Sequence, residues 1–200
     1  MKNGQIKKFR AVVRRYFREQ GRDLPWRRTD DPYRIFVSEV MLQQTNVDRV
    51  ALRYEAFLAR FPSAQELAEA PFEEIFSFWR GLGYNRRALA LKRAAGIMVR
   101  EHGGTVPRTL EELDALPGIG EATAAAVLVY AWNTPVSFIE TNIRAVFIHF
   151  FFPKKKKVGD KEIFPLVERT LDRKNPRGWY SALMDYGAML KKGRRVRNAR

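Results

Sequence analysis

The 200-residue chain contains no cysteine. This excludes disulfides, thiolate-built zinc sites and any iron–sulfur cluster held by the protein's own sulfur. Histidine is nearly missing too, with His102 and His149 alone, so a histidine-rich metal site is not expected. No apolar run approaches the ~18 residues a membrane-spanning helix needs. The basic N-terminus lacks the apolar stretch of a secretory signal. Together these absences predict a soluble cytoplasmic protein, nucleoid-associated in a prokaryote, with no membrane partner. Acidic residues are scarce: 22 Asp and Glu face 37 Lys and Arg, a formal net charge of +15. Such a balance favours a polyanionic partner, DNA or RNA first and an anionic membrane surface second. The hydrophobic fraction, 46%, is that of a folded chain. The length suffices for one large domain or two small ones.

What is present reads as helix nearly throughout. Ile6, Phe9, Val12, Val13, Tyr16 and Phe17 recur at three- and four-residue spacing and form an amphipathic stripe. Gly21 and Leu24-Pro25-Trp26 end it, and Thr29-Asp30-Asp31-Pro32 opens a second helix over Ile35 to Leu42. Further helices are expected from Val47 to Phe61, after Ser63, from Pro71 to Trp79 and from Arg86 to His102. Thr109 followed by Glu112 has the capping-box spacing. Glu121 to Trp132 is alanine-rich and strongly helix-forming. Asn142 to Phe152, Lys161 to Leu171 and Trp179 to Lys191 complete the series. Phe147 to Phe152 has strand-like composition but continues the helical stripe from Ile143. Lys154 to Lys157 reads as a solvated loop or a phosphate-facing one, and the basic tail Lys191 to Arg200 as a loose end or a nucleic-acid-tracking arm.

The most specific local feature is Leu116-Pro117-Gly118-Ile119-Gly120, set between two helices. Two glycines one residue apart permit a tight turn. The turn leaves backbone N–H groups outward where a new helix begins, and the helix dipole adds positive potential there. Gly118, Ile119, Gly120, Ala122 and Thr123 are therefore candidate phosphate-binding positions. Such a site holds nucleic-acid backbone without reading sequence, so any chemistry must come from elsewhere. Glu39 is the first candidate: it lies mid-helix among Ile35, Phe36, Val40 and Leu42. An acid in that company either faces solvent at a helix boundary or is buried for a purpose.

Several segments read together now point to a family: Leu24-Pro25-Trp26-Arg27, Pro32-Tyr33, Ser38-Glu39-Val40-Met41-Leu42-Gln43-Gln44-Thr45, Trp79-x-Gly81-Leu82-Gly83-Tyr84, and the hairpin. The chain resembles the adenine DNA glycosylases of the MutY family, within the helix-hairpin-helix superfamily shared with endonuclease III, from near residue 10 to near residue 190. The resemblance implies an all-α, two-domain fold with a DNA-binding cleft between the domains. Residues 28–135 would be the central domain, with the helix-hairpin-helix at 110–132. Residues 1–27 and 136–200 would form the second. It also implies a monomer acting on double-stranded DNA that contains a mispaired or damaged base.

The implied reaction is hydrolysis of an N-glycosidic bond after the base is flipped from the stack. It needs a proton for the departing base and a carboxylate for the oxocarbenium-like sugar, much as glycoside hydrolysis does. By resemblance Glu39 protonates the base and then helps activate water. Glu140, in Phe138-Ile139-Glu140-Thr141-Asn142-Ile143-Arg144, takes the place of the family's aspartate, one methylene longer. Bifunctional relatives carry a Schiff-base lysine where this chain has Ala122, which implies a glycosylase without lyase activity. Trp26, Arg27, Leu42, Gln43, Gln44 and Tyr84 are expected to line the base pocket or probe the duplex, and Arg86 and Arg87 to be surface charges or phosphate contacts.

The chain departs from the family in two places. Lys191 follows Gly187-Ala188-Met189-Leu190 where the first cluster cysteine would stand, so no cofactor is expected, although a monovalent cation at the hairpin is left open. The C-terminal domain that checks for 8-oxoguanine is not within the 200 residues. Adenine opposite guanine or 8-oxoguanine is the first substrate expectation. Hypoxanthine, uracil or thymine, or non-catalytic binding of distorted DNA, stand as alternatives. A membrane-surface or ribosomal basic protein fits the charge but not the motifs.

Overall fold

A computed structural model describes residues 3–198 of the chain. Eleven α-helices and one 3-10 turn make up the regular structure of those residues, which contain no strand. In order they are α1 (Asn3–Gln20), the 3-10 turn Pro25–Arg27, α2 (Pro32–Leu42), α3 (Val47–Arg60), α4 (Ala64–Glu69), α5 (Phe72–Trp79), α6 (Arg86–Glu101), α7 (Leu110–Asp114), α8 (Glu121–Trp132), α9 (Thr141–Phe151), α10 (Asp160–Thr170) and α11 (Pro176–Asn198). Helix starts follow the local chemistry. The Asp31 carboxylate accepts the Arg34 N–H, with Pro32 at the first helical position. Ser63 caps α4, Asn46 caps α3, and Thr109 Oγ1 both accepts the Glu112 N–H and donates to the Glu112 carboxylate at 2.6 Å. The strand-like run Phe147 to Phe151 is helix.

The chain packs as two compact units, residues 23–132 and residues 1–22 with 133–200. Trp26 and Arg27 therefore belong to the unit that carries α2. In the 23–132 unit, α8 is buried on almost every side, from Ala124 to Val129. Its alanines present little bulk, so α2 packs directly against it. Phe57, Phe61 and Trp79 fill the space between α3 and α5, with ring centroids 4.9 Å and 6.1 Å from Phe57.

The other unit is built around Phe9 of α1. Its ring meets the edges of Phe147, Phe150 and Phe151 of α9 at 5.3, 4.9 and 5.0 Å and Trp179 of α11 at 5.6 Å. Burial of such a ring contributes about 1.5–3 kcal/mol. Arg22, just past α1, donates its backbone N–H and its guanidinium to the buried Asp185 of α11 at 2.8 Å each. α11 and α9 approach closely at Gly187, where a Cβ would lie 2.4 Å from the Asn142 carbonyl oxygen. The basic tail continues α11 to Asn198; the side chains from Arg194 onward, and Ala199 and Arg200 entirely, lie outside the described residues.

Candidate functional site

Tyr33, Ile35, Phe36, Val37, Ser38, Val40 and Met41 are buried, while Pro32, Arg34, Glu39 and Leu42 are half-buried. Glu39 stands three residues before the helix ends. Its charge acts on the buried Tyr54 of α3. Burial is the main cause that pushes the Tyr54 hydroxyl far above its ordinary value, and Glu39 adds a smaller push in the same direction. Tyr54 donates to the Arg34 carbonyl at 3.1 Å. The Trp26 ring packs edge-on against it with centroids 5.6 Å apart. Trp26 is thus a packed ring, 8% exposed, and Arg27 beside it is half-buried.

Past Leu42 the chain leaves the helix, and Gln44 adopts φ +55°. A non-glycine residue there is strained by ~1–3 kcal/mol and persists only where its surroundings hold it. Gln44 is exposed, and Leu42 is half-buried. Gln43 differs from expectation. Its side-chain nitrogen donates to the Gly118 carbonyl at 3.0 Å and to Thr123 Oγ1 at 3.2 Å. It ties the end of α2 to the hairpin through its amide N–H groups.

In the hairpin, Gly118 has φ +78°, and a Cβ on it would stand 2.7 Å from Ala90 Cβ of α6. Gly120 has neither constraint: a Cβ there meets no atom within 4 Å. The first helical bond of α8 runs from the Ala124 N–H to the Gly120 carbonyl at 2.9 Å. The preceding N–H groups, those of Glu121, Ala122 and Thr123, have no intrahelical acceptor. Ala122 is exposed and Thr123 half-buried. Ile119 is a correction to the expected phosphate-binding set. Its side chain is buried, and its N–H is bonded to the Leu116 carbonyl at 3.1 Å, inside the turn.

The second turn, Gly81 to Tyr84, is closed by Trp79, whose indole N–H donates to the Gly83 carbonyl at 3.2 Å. Tyr84 sits at φ +48° and is 54% exposed, a large ring held outward by a strained backbone. Arg86 is an exposed charge. Arg87 is not: it is 7% exposed, and its guanidinium donates only inward, to Val40, Met41, Leu82 and Gly83 carbonyls and to Thr45 Oγ1. Burial pulls its pKa below the ordinary arginine range. The sequence carried a signal for this. Arg87, Leu91, Ala94, Ala95 and Met98 fall on one helical stripe, the buried one.

In the other unit, Glu140 is the N-cap of α9. Its Oε1 accepts the N–H groups of Asn142 at 2.7 Å and Ile143 at 3.1 Å. The approach to it is rigid: Phe138 stacks on Tyr180 at 4.2 Å and donates its N–H to the Tyr180 hydroxyl at 3.1 Å. Burial pushes that hydroxyl up to about 12. Arg144, one turn into α9, is paired with Asp160 at 2.7 and 2.6 Å. In the lysine loop, Lys155 is paired with Glu162, while Lys154, Lys156 and Lys157 are exposed.

A four-cysteine iron–sulfur cluster does not fit these residues, because the chain has no cysteine to hold one. Among the described residues no group of three or more His, Asp or Glu could hold a metal ion, and no helix is long and apolar enough to cross a membrane.

Residues 37–170 match the HhH-GPD superfamily base excision DNA repair protein family. The chain is 32% identical over 186 residues to an adenine DNA glycosylase of Buchnera aphidicola subsp. Baizongia pistaciae, which covers 91% of this chain and 52% of that one. It is 37% identical over 152 residues to a thymine/uracil-DNA glycosylase of Pyrobaculum aerophilum, covering 75% of this chain and 66% of that one. A solved thermostable thymine-DNA glycosylase superposes with a TM-score of 0.85 at 28% identity, covering 94% of this chain and 88% of that one. The chain spans about half the length of the Buchnera relative.

Proposed function

The chain belongs to the HhH-GPD superfamily of base excision DNA repair proteins, and from that premise we propose that it is a monofunctional DNA glycosylase that hydrolyses the N-glycosidic bond of a flipped base. The observation that carries this reading is the Gln43 tie. It makes the end of the Glu39 helix and the start of α8 one piece, so a phosphate held at the α8 N-terminus stands in fixed relation to the Glu39 carboxyl. A DNA phosphate suits that terminus electrostatically, and the open space at Gly120 lets its oxygens reach the backbone.

In the proposed reaction Glu39, protonated, donates to the departing base as the bond from the sugar carbon to the base nitrogen breaks. The electron pair leaves with the base. Glu39, now a carboxylate, accepts a proton from the water that adds to the sugar carbon. Glu140 is proposed as the second carboxylate, stabilising the positive sugar, with Oε1 also serving as the cap. Tyr84 and Gln44, exposed and strained, are proposed to fill the duplex where the base has left it. Leu42 stands at the edge of that gap, and Trp26 and Arg27 form part of the pocket wall. The protein is proposed to act as a monomer on double-stranded DNA, without an iron–sulfur cluster.

Adenine opposite guanine or 8-oxoguanine is the proposed substrate, in keeping with the adenine DNA glycosylases it resembles. Thymine or uracil opposite guanine is the second reading. It is favoured by the 37% identity to the Pyrobaculum enzyme and the 0.85 superposition on the thymine-DNA glycosylase. A panel of labelled duplexes tests both: A opposite 8-oxoguanine, A opposite G, hypoxanthine, U opposite G and T opposite G, each followed by alkali. Cleavage of the adenine duplexes alone supports the first reading, and cleavage of T or U opposite G replaces it. Tight binding with no base released from any duplex would make the chain a non-catalytic binder.

A further inference from the structure

The buried guanidinium of Arg87 joins three separate stretches of chain. Nη1 donates to the Val40 and Met41 carbonyls at 2.9 Å each; Nη2 donates to Thr45 Oγ1 at 2.7 Å, the Gly83 carbonyl at 2.9 Å and the Leu82 carbonyl at 3.1 Å. Its carbon lies 5.4 Å from the centroid of Trp79 and 5.6 Å from that of Tyr84. We propose that Arg87 is a positioning residue for base excision: it locks the Glu39-bearing end of α2 and the turns carrying Gln44 and Tyr84 into one rigid piece. The inference rests on the reading of Glu39 as the proton donor.

Three features of the site support it. First, the partners are neutral carbonyls and a hydroxyl. A buried charge without a carboxylate is costly, and an apolar residue would pack the same space with less penalty. What the guanidinium adds is direction, because a planar fork of donors fixes several acceptors at once, which an ammonium does not. Second, two of the acceptors are last-turn carbonyls of α2, which have no partner within the helix and lie at its negative end. Holding Val40 and Met41 there holds the peptide that follows Glu39. Third, both strained non-glycine residues on this unit's outer turns adjoin a residue that Arg87 grips. Gln44 at φ +55° precedes Thr45, and Tyr84 at φ +48° follows Gly83. Thr45 Oγ1 in turn donates to the Leu82 carbonyl at 3.1 Å, which joins the two turns directly.

The test uses the full chain, the duplex that wild type cuts fastest in the panel, and Arg87→Lys, Arg87→Ala and Thr45→Val. Three quantities are measured: urea stability, affinity for a duplex with a tetrahydrofuran abasic analogue, and the single-turnover excision rate. Arg87→Lys should bind the analogue nearly as wild type does, yet excise about 10²-fold more slowly, the penalty of a displaced catalytic group. Thr45→Val should shift rate in the same direction by less, and serves if the arginine variants do not fold. Millimolar guanidinium should restore part of the rate of Arg87→Ala. Wild-type rate in Arg87→Lys and Thr45→Val overturns the proposal. So does a loss of rate that only tracks loss of affinity or stability, with no guanidinium rescue. If wild type cuts no duplex in the panel, the glycosylase reading itself fails, and this inference falls with it.

Discussion

The hairpin contains two glycines one residue apart with different surroundings, and replacing each by alanine separates the packing of the turn from the proposed phosphate contact. Gly118→Ala introduces two penalties. A residue with a Cβ at φ +78° is destabilised by about 1–2 kcal/mol. The new Cβ would stand 2.7 Å from Ala90 Cβ, about 1 Å inside van der Waals contact. Relieving that overlap between α6 and the turn adds about 1–3 kcal/mol. The sum, about 2–5 kcal/mol, is a large part of the ~5–15 kcal/mol that a domain has, and should appear as a lower urea midpoint. Ala90→Gly in the same chain should recover the steric share but not the backbone share. Alone it should cost about 1 kcal/mol as a glycine in a helix, so a double-mutant cycle should return a coupling of about 1–3 kcal/mol. Gly120→Ala meets no atom within 4 Å and lies outside the left-handed region. Its stability should stay within about 0.5 kcal/mol of wild type. Its added methyl would occupy the space proposed for a phosphate, so affinity for duplex DNA should fall by about tenfold, near the value of one charge-assisted hydrogen bond. Equal destabilisation by the two substitutions, or unchanged affinity in Gly120→Ala, would refute this division of labour.

Three further expectations concern the chemistry. Glu39→Gln should leave duplex affinity near wild type and lower single-turnover excision by about 10²–10⁴-fold, the range for loss of a general acid; an unchanged rate removes Glu39 from the mechanism. Glu140→Ala should lose about 0.5–2 kcal/mol of stability with the α9 cap. Glu140→Gln keeps an oxygen for Asn142 and Ile143 and so should lose rate with little stability, and a rate gain in Glu140→Asp would show that the longer side chain slows the enzyme. Borohydride should not trap wild type on abasic DNA, whereas Ala122→Lys, at an exposed first-turn position of α8, should form a trapped adduct by imine formation between its amine and the sugar aldehyde.

Much of the fold was legible in the sequence because its signals act over two to four residues. Asp31 before Pro32, Ser63 before α4 and Thr109 three residues before Glu112 mark helix starts by bonding N–H groups of the same turn. Phe147, Phe150 and Phe151 look strand-like as a composition. Their spacing by three and four places all three rings on Phe9, and only a helix does that. The Glu140 cap is equally local, reaching residues 142 and 143.

What the sequence by itself determined was the all-helical architecture, the hairpin, the polyanion-seeking charge and the lack of any cysteine to hold a cluster. Only the tertiary structure decided which partner each inward-facing polar side chain finds. Gln43 reads as a surface amide until the hairpin, 75 residues later, presents Gly118 O to it. Arg87 reads as one of two adjacent surface arginines until folding places Val40 and Met41 carbonyls 47 and 46 residues away in front of it. Gly187 is unremarkable until Asn142 crosses it. The physical reason is that a capping bond is set by the geometry of one helical turn, whereas a buried donor's partner is set by which helices pack together, and no local pattern encodes that choice.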